Sequence, residues 1–232
     1  MIPLRDINPT ARFSIITAIL IVLNILVFVF ELALGEDGRD RLIELFALVP
    51  RDLFSANEAG RQGIAPGVTL ITSMFLHGGI LHVAGNMLYL WIFGNNVEDA
   101  MGRLRFILFY ALCGVFAASA HAVMNSASPV PMIGASGAVS GVLGAYLLLY
   151  PRARVITLLI FGFYIRTIQV PAMAVLLFWF LLQFLNAALA DKSGGGIAWY
   201  AHIAGFVAGM LMIGIFKRRD VVFGGGEGTR QV

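Results

Sequence analysis

The sequence predicts an all-α integral membrane protein, a bundle of six transmembrane helices with a long first outer loop. Three observations predict it. Apolar residues make up 59% of the 232-residue chain and charged residues only 12%, about half the roughly 25% of soluble domains. The mean hydropathy is +0.86. Apolar windows also recur at about the 20-residue length that crosses hydrocarbon, with arginines and lysines gathered at their ends.

The first span runs from about Ser14 to Leu34. Its apolar run exceeds the roughly 7–15 residues of a signal-peptide core, and no small-x-small cleavage site clearly follows, so it reads as an anchor. The second covers about Leu81 to Phe93, extended on both sides by mixed residues. The third runs from about Phe106 to Val123, the fourth from Ala135 to Tyr150, the fifth from Ile168 to Ala190 and the sixth from Ile197 to Phe216. Between the fourth and fifth, "VITLLIFGFY" (155–164) is apolar but too short to cross, and reads as an interfacial excursion. In the first outer loop (35–67), "RDRLIELFAL" (39–48) sets Leu42, Ile43, Phe46 and Leu48 among Arg39, Asp40, Arg41 and Glu44. That pattern suits a short amphipathic helix at the bilayer surface. Outside the 14–216 domain lie an N-terminal segment (1–13) and a tail (217–232) ending in the glycine-rich "VVFGGGEGTRQV", expected to be flexible.

Eleven of the arginines and lysines fall on one side of a six-span topology and five on the other. The excess places both termini in the cytoplasm. No transit-peptide pattern precedes the first span, so the expected location is a bacterial inner membrane. The net charge of +3 calls for no nucleic-acid partner, because the basic residues sit at span ends. The single cysteine, Cys113, leaves no intrachain disulfide to form.

Polar groups in hydrocarbon are costly and mark sites. Apart from serines and threonines, the clear cases are His82 and Asn86 in span two, Gln183 and Asn186 in span five and His202 in span six, with His77 and His121 near span ends. Spans two, four and six all enter from outside, so His82, Ser136 and His202 share a level. Ser136, in "PMIGASGAVSGVLGAY" (131–146), begins a stripe of small residues with Ser140 and Gly144, beside Gly137, Gly141 and Ala145. Ala201, Gly205 and Gly209 repeat the spacing in span six. Such stripes let helices pack closely, which would bring the His202 imidazole to the Ser136 hydroxyl.

These parts suit acyl transfer. Ser136 would be nucleophile and His202 its base, with Asn86, His82 and the Ser136 N–H stabilising the oxyanion. No Asp or Glu lies in spans four or six, so the unit would be a dyad. Each piece has a plainer reading: a serine among glycines usually packs helices, a buried histidine is usually structural, and Asn86 could join two helices. "GASGA" also departs from the G-x-S-x-G elbow, since Ala138 takes the last glycine's place. A metal site is disfavoured by the lack of H-E-x-x-H and of a carboxylate near His82 or His202. A transporter is disfavoured by the lack of an internal repeat and of acids at mid-membrane.

"TSMFLHGGILHVAGNMLYLWIFG" (72–94), "GASGAVSG" (134–141) and "AHIAGFVAG" (201–209) resemble the signature segments of rhomboid intramembrane serine proteases. "ALVP" (47–50) and the run from Glu98 through Gly102 to Arg105 and Phe106 are also similar. The resemblance covers roughly Arg12 to Phe216. It implies a six-helix rhomboid bundle whose first outer loop is partly membrane-embedded and whose site opens to the outer face. It also implies a Ser136–His202 dyad, an oxyanion hole of Asn86, His82 and Ser136, and no cofactor or metal. Substrates would be transmembrane proteins with a single span, cut in or near that span. Phe178, Trp179 and Phe180 on span five become candidate substrate gate residues, and His77 a structural histidine. Glu98 and Arg105 are expected to pair. A rhomboid-like protein that binds transmembrane helices without cleaving them is the alternative.

Overall fold

The protein is described by a computed structural model over residues 1–55, 64–189 and 198–225. The expected ends of spans five and six at Ala190 and Ile197, and the tail beyond residue 225, lie outside the described residues. In chain order the elements are β1 (Ile2–Asp6), α1 (Ile15–Ala33), α2 (Gly35–Phe46), α3 (Ile80–Met101), α4 (Arg103–Met124), α5 (Ser136–Leu149), the hairpin strands β2 (Arg154–Phe161) and β3 (Tyr164–Pro171), α6 (Ala172–Leu189) and α7 (Trp199–Phe216). α3 is continuous through a π-helical turn at Leu90–Gly94. It meets the helical segment Pro66–Phe75 at a bend of 84°.

The described residues form a mostly helical bundle, as the sequence predicts. Among them, α1, α4, α6 and α7 are each long and apolar enough to cross a membrane, and the bent pair ending in α3 adds a fifth candidate when its two arms are counted as one span. α5 has 14 residues, about 21 Å at 1.5 Å each, against roughly 30 Å of hydrocarbon. It can be short because protein surrounds it. All its residues from Gly137 to Leu147 are buried. α1 is the opposite case: it buries only Thr17, Asn24, Phe28 and Glu31 and exposes Ile19, Val22, Leu23, Leu26, Val29 and Phe30. An apolar surface of that extent is solvated by lipid.

α5 and α7 meet backbone to backbone. A Cβ on Gly205 would run into the carbonyl of Gly137, one on Gly209 into that of Gly141, and one on Gly144 into that of Phe206. The small-residue stripes therefore pack as the sequence predicts. Gly137 itself faces Ala117 of α4, where a Cβ would lie 2.7 Å from the alanine methyl. It is a three-helix packing position.

The amphipathic reading of 39–48 holds as far as Phe46, where α2 ends. Leu48 then leaves the helix to pair with Met132 in an isolated β-bridge, which ties the first outer loop to the segment entering α5.

The opposite end of the bundle departs from expectation. The 155–164 excursion is the β2–β3 hairpin, and β1 adds to it antiparallel, giving a three-stranded sheet in the order β1-β2-β3. Ile168 to Pro171 therefore belong to a strand, and α6 begins at Ala172. β-branched residues at 155–157, 160, 165, 167, 168 and 170 explain the choice, since Val155 and Thr157 turn inward and are buried. The hairpin tip, Phe161 and Phe163, is fully exposed and keeps the apolar character expected of an interfacial segment. The described part of the tail, 217–225, is tied to the bundle. Arg218 N–H donates to Ala100 O at 2.9 Å and Gly224 N–H to Leu148 O at 3.0 Å, while the Lys217 ammonium sits 5.1 Å from the centre of the Phe223 ring.

Glu98 does not pair with Arg105. Its carboxylate accepts from Ile16 N–H (3.1 Å), Thr17 N–H (2.7 Å) and the Thr17 hydroxyl (2.8 Å). It thus satisfies the first-turn amides of α1, which otherwise lack partners, and sits at the positive end of that helix. Arg105 instead donates to Lys217 O at 3.4 Å.

β1 is fastened to the bundle by Asp6. Its Oδ2 accepts from the Tyr146 hydroxyl and from Asn96 Nδ2, both at 2.7 Å. Burial raises the Asp6 carboxyl from its ordinary 3.8 to about 6 despite these bonds. A raised carboxyl favours the folded state fully below pH 4, and that contribution is lost as the pH rises through about 6. Asp6→Asn keeps an oxygen for both donors and has no charge to bury. Thermal melting between pH 4 and pH 8 should show wild type losing stability relative to Asp6→Asn as the pH rises through that window. Parallel curves would contradict the assignment.

Candidate active site

Ser136 is the first residue of α5, and the preceding loop is held in place from two sides. Gly134 N–H donates to Ser73 O at 2.8 Å, and Met132 N–H to Leu48 O at 2.7 Å. His202 lies in the first turn of α7. Its Nε2 is 2.8 Å from Ser136 Oγ and its Nδ1 2.8 Å from Gln183 Oε1 of α6. The equal depth read from the sequence is thus a direct contact. Gln183 and His202 are both buried, and Gln183 Nε2 donates to Trp179 O at 3.3 Å.

His82 and Asn86 lie one turn apart on α3. Gly78 N–H donates to His82 Nδ1 at 3.3 Å, so in the neutral ring Nε2 carries the proton and is free to donate. That nitrogen faces Gly134, where a Cβ would come within 2.7 Å of it. Asn86 Nδ2 is buried and makes no hydrogen bond among the described residues. A buried amide without a partner is costly, and here it borders a cavity. The amides of the first turn of α5, Ser136 N–H included, have no intrahelical acceptor. All four polar residues line one cavity of about 970 Å³, with Gly85 and Tyr89 of α3 on one wall and Trp179 and Gln183 of α6 on another.

Of the three span-five aromatics, only Trp179 faces this cavity, its ring 6.0 Å from that of His202 and 6.3 Å from that of Tyr89. Phe180 stacks on Phe206 at 4.6 Å, and Phe178 points outward on the exposed apolar side of α6. Among the described residues, no group of three or more His, Cys, Asp and Glu converges as a metal site. His77 supports the loop leading to His82: its N–H donates to Glu31 at 3.2 Å and its carbonyl accepts from Arg39 at 3.3 Å. Arg39 and Glu31 are themselves 3.8 Å apart.

Gln183 is the residue that sequence reasoning noted but did not place in the site. The available signal was periodicity. Ala172, Val175, Leu176 and Gln183 are the buried positions of α6, so the amide lies on the stripe that faces the bundle.

A polytopic helical membrane protein with a serine–histidine contact beside buried donors is the class that fold and site define. The chain matches the family profile of the Rhomboid domain over residues 66–219, and it belongs to the rhomboid family. It is 37% identical over 132 residues to the Rhomboid protease GluP of Bacillus subtilis (strain 168), covering 56% of this chain and 24% of that protein. It is 32% identical over 148 residues to Rhomboid protein 1, mitochondrial, of Saccharomyces cerevisiae, covering 62% and 40%. It is 30% identical over 103 residues to Presenilin-associated rhomboid-like protein A, mitochondrial, of Danio rerio, covering 44% and 26%. The matches span less than half the length of each of these relatives. They establish a multi-pass membrane protein, and the relatives include both a bacterial and mitochondrial proteins.

Gly134 has φ +121°, a conformation that L side chains rarely adopt. A methyl there would also press on His82. Gly134→Ala should destabilise the fold by about 1–3 kcal/mol, the cost such backbone strain carries. Thermal melting of the two proteins side by side checks this, and an unchanged melting temperature would show that position 134 accepts a side chain beside His82.

Proposed function

We propose that the protein is an intramembrane serine endopeptidase of the rhomboid type, cleaving single-span membrane proteins in or near their transmembrane segment. The observation that carries the reading is the 2.8 Å contact between Ser136 Oγ and His202 Nε2 at the wall of a cavity also lined by Asn86, whose Nδ2 has no partner among the described residues. In this reading Ser136 Oγ attacks the scissile carbonyl as its proton passes to His202 Nε2. The oxyanion is stabilised by Asn86 Nδ2–H, His82 Nε2–H and Ser136 N–H. His202 then returns the proton to the leaving amine, and water hydrolyses the acyl-enzyme with His202 again as base. The substrate helix must unwind locally, because a helical peptide carbonyl is hydrogen-bonded and shielded. Trp179 and Tyr89, one on each wall, border the side from which a helix would arrive. The reading extends to a bacterial cell membrane with both termini in the cytoplasm and the cavity open to the outer face, in line with the charge bias of the chain.

The test is cleavage of a fluorescent single-span substrate in liposomes. Ser136→Ala should abolish it, His202→Ala should reduce it by about 10³-fold or more, and Asn86→Ala by about 10²–10³-fold, with melting temperatures close to wild type. Cleavage that survives Ser136→Ala would overturn the dyad. A wild type that binds the substrate helix without cutting it would make the chain a helix-binding member of the family.

A further inference from the structure

Gln183 makes two hydrogen bonds, and together they dictate where the proton of His202 sits. One end of the amide contacts Trp179 O at 3.3 Å, and a backbone carbonyl only accepts, so that end is the NH2. The other end, facing His202 Nδ1 at 2.8 Å, is therefore the carbonyl oxygen. An amide oxygen cannot donate, so Nδ1 must carry the hydrogen. The neutral imidazole then has its lone pair on Nε2, which is the nitrogen 2.8 Å from Ser136 Oγ. We propose that Gln183 is a positioning residue, holding His202 in the Nδ1–H tautomer and in the ring orientation that lets Nε2 accept the serine proton. The inference rests on the reading of Ser136 and His202 as nucleophile and base.

The arrangement does with a neutral amide what a carboxylate does in a three-residue triad. As Ser136 Oγ bonds to the carbonyl carbon, its proton moves to Nε2, and the Nδ1–H bond to Gln183 Oε1 shortens on the developing imidazolium without itself transferring a proton. An amide suits this position, since its dipole is set before reaction and it carries no net charge to bury in the membrane interior. Gln183 and His202 lie on different helices, so the tautomer is held only while α6 is docked against α7. Trp179, which lines the cavity one turn earlier on α6, is the residue whose carbonyl fixes the amide. The helix that borders the cavity thus also prepares the base.

The test combines a spectroscopic and a kinetic readout on the full-length protein in detergent micelles. With ¹⁵N-labelled histidine, His202 of wild type should show the pure Nδ1–H tautomer by its ring-nitrogen shifts, identified by the signal lost in His202→Ala. Gln183→Leu should release it to a mixture or to Nε2–H. Its kcat should fall at least about 10-fold, toward the roughly 10⁴-fold cost of a wrong-tautomer histidine in serine proteases, with KM little changed. Gln183→Glu offers an acceptor at the same place and should restore both the tautomer and most of kcat. A wild-type Nε2–H tautomer, or a Gln183→Leu protein that keeps tautomer and kcat, would overturn the proposal. If Gln183→Leu does not fold, the wild-type tautomer and the Gln183→Glu rates still decide. Cleavage that persists in Ser136→Ala would mark failure of the dyad itself, a result distinct from a Gln183 variant that is unimpaired while Ser136 remains essential.

Discussion

α5 and α7 touch through their backbones, and the spacing of the whole site follows from that contact. With glycine at 205 and 209 against the carbonyls of Gly137 and Gly141, the two backbones meet with no room for a side chain between them. In lipid there is little hydrophobic force to drive helices together, so association rests on close packing and on polar bonds between helices. Both are present here at successive levels of the same pair: glycine contacts through the middle, and the Ser136–His202 hydrogen bond at the end where α5 begins. A side chain in the stripe would separate the helices, and the hydroxyl and imidazole would part with them.

Around that contact the molecule distributes its polar groups unevenly. At one end, Glu98 satisfies the amides of α1, Asp6 fastens the sheet to Tyr146 and Asn96, and the chain after α7 hydrogen-bonds to Ala100 and Leu148. At the other end, Asn86 Nδ2 has no partner among the described residues, and Asn86 and Ser136 both line the cavity. Unmade hydrogen bonds cost stability, and they persist where surrounding packing enforces them. A donor left open beside a cavity is the arrangement expected where developing negative charge would be bound.

The sequence was most legible where one physical rule acted alone. Span positions followed from apolar length, the α5–α7 contact from small residues four apart, and the level of Ser136 and His202 from counting along two helices. It was least legible where partners are distant in the chain. "VITLLIFGFY" is equally apolar as strand or surface helix, and its pairing with Ile2–Asp6 involves residues about 150 positions away. Glu98 could be matched with the nearby Arg105 from sequence, but the unpaired amides of α1, some 80 residues earlier, are the stronger claim on a buried carboxylate. Span five offered three aromatics in a row. Helical geometry turns only Trp179 of them to the cavity, while Gln183, one turn on, contacts the histidine.

The central claim is that Ser136 is activated by His202, and covalent capture tests it most directly. The wild-type protein in liposomes would be treated with a fluorophosphonate probe and the adduct mapped by peptide mass spectrometry, with His202→Ala as the comparison. The account predicts a single adduct on Ser136 that is lost or greatly slowed in His202→Ala. Labelling that falls elsewhere, or that proceeds on Ser136 at the same rate without His202, would contradict it.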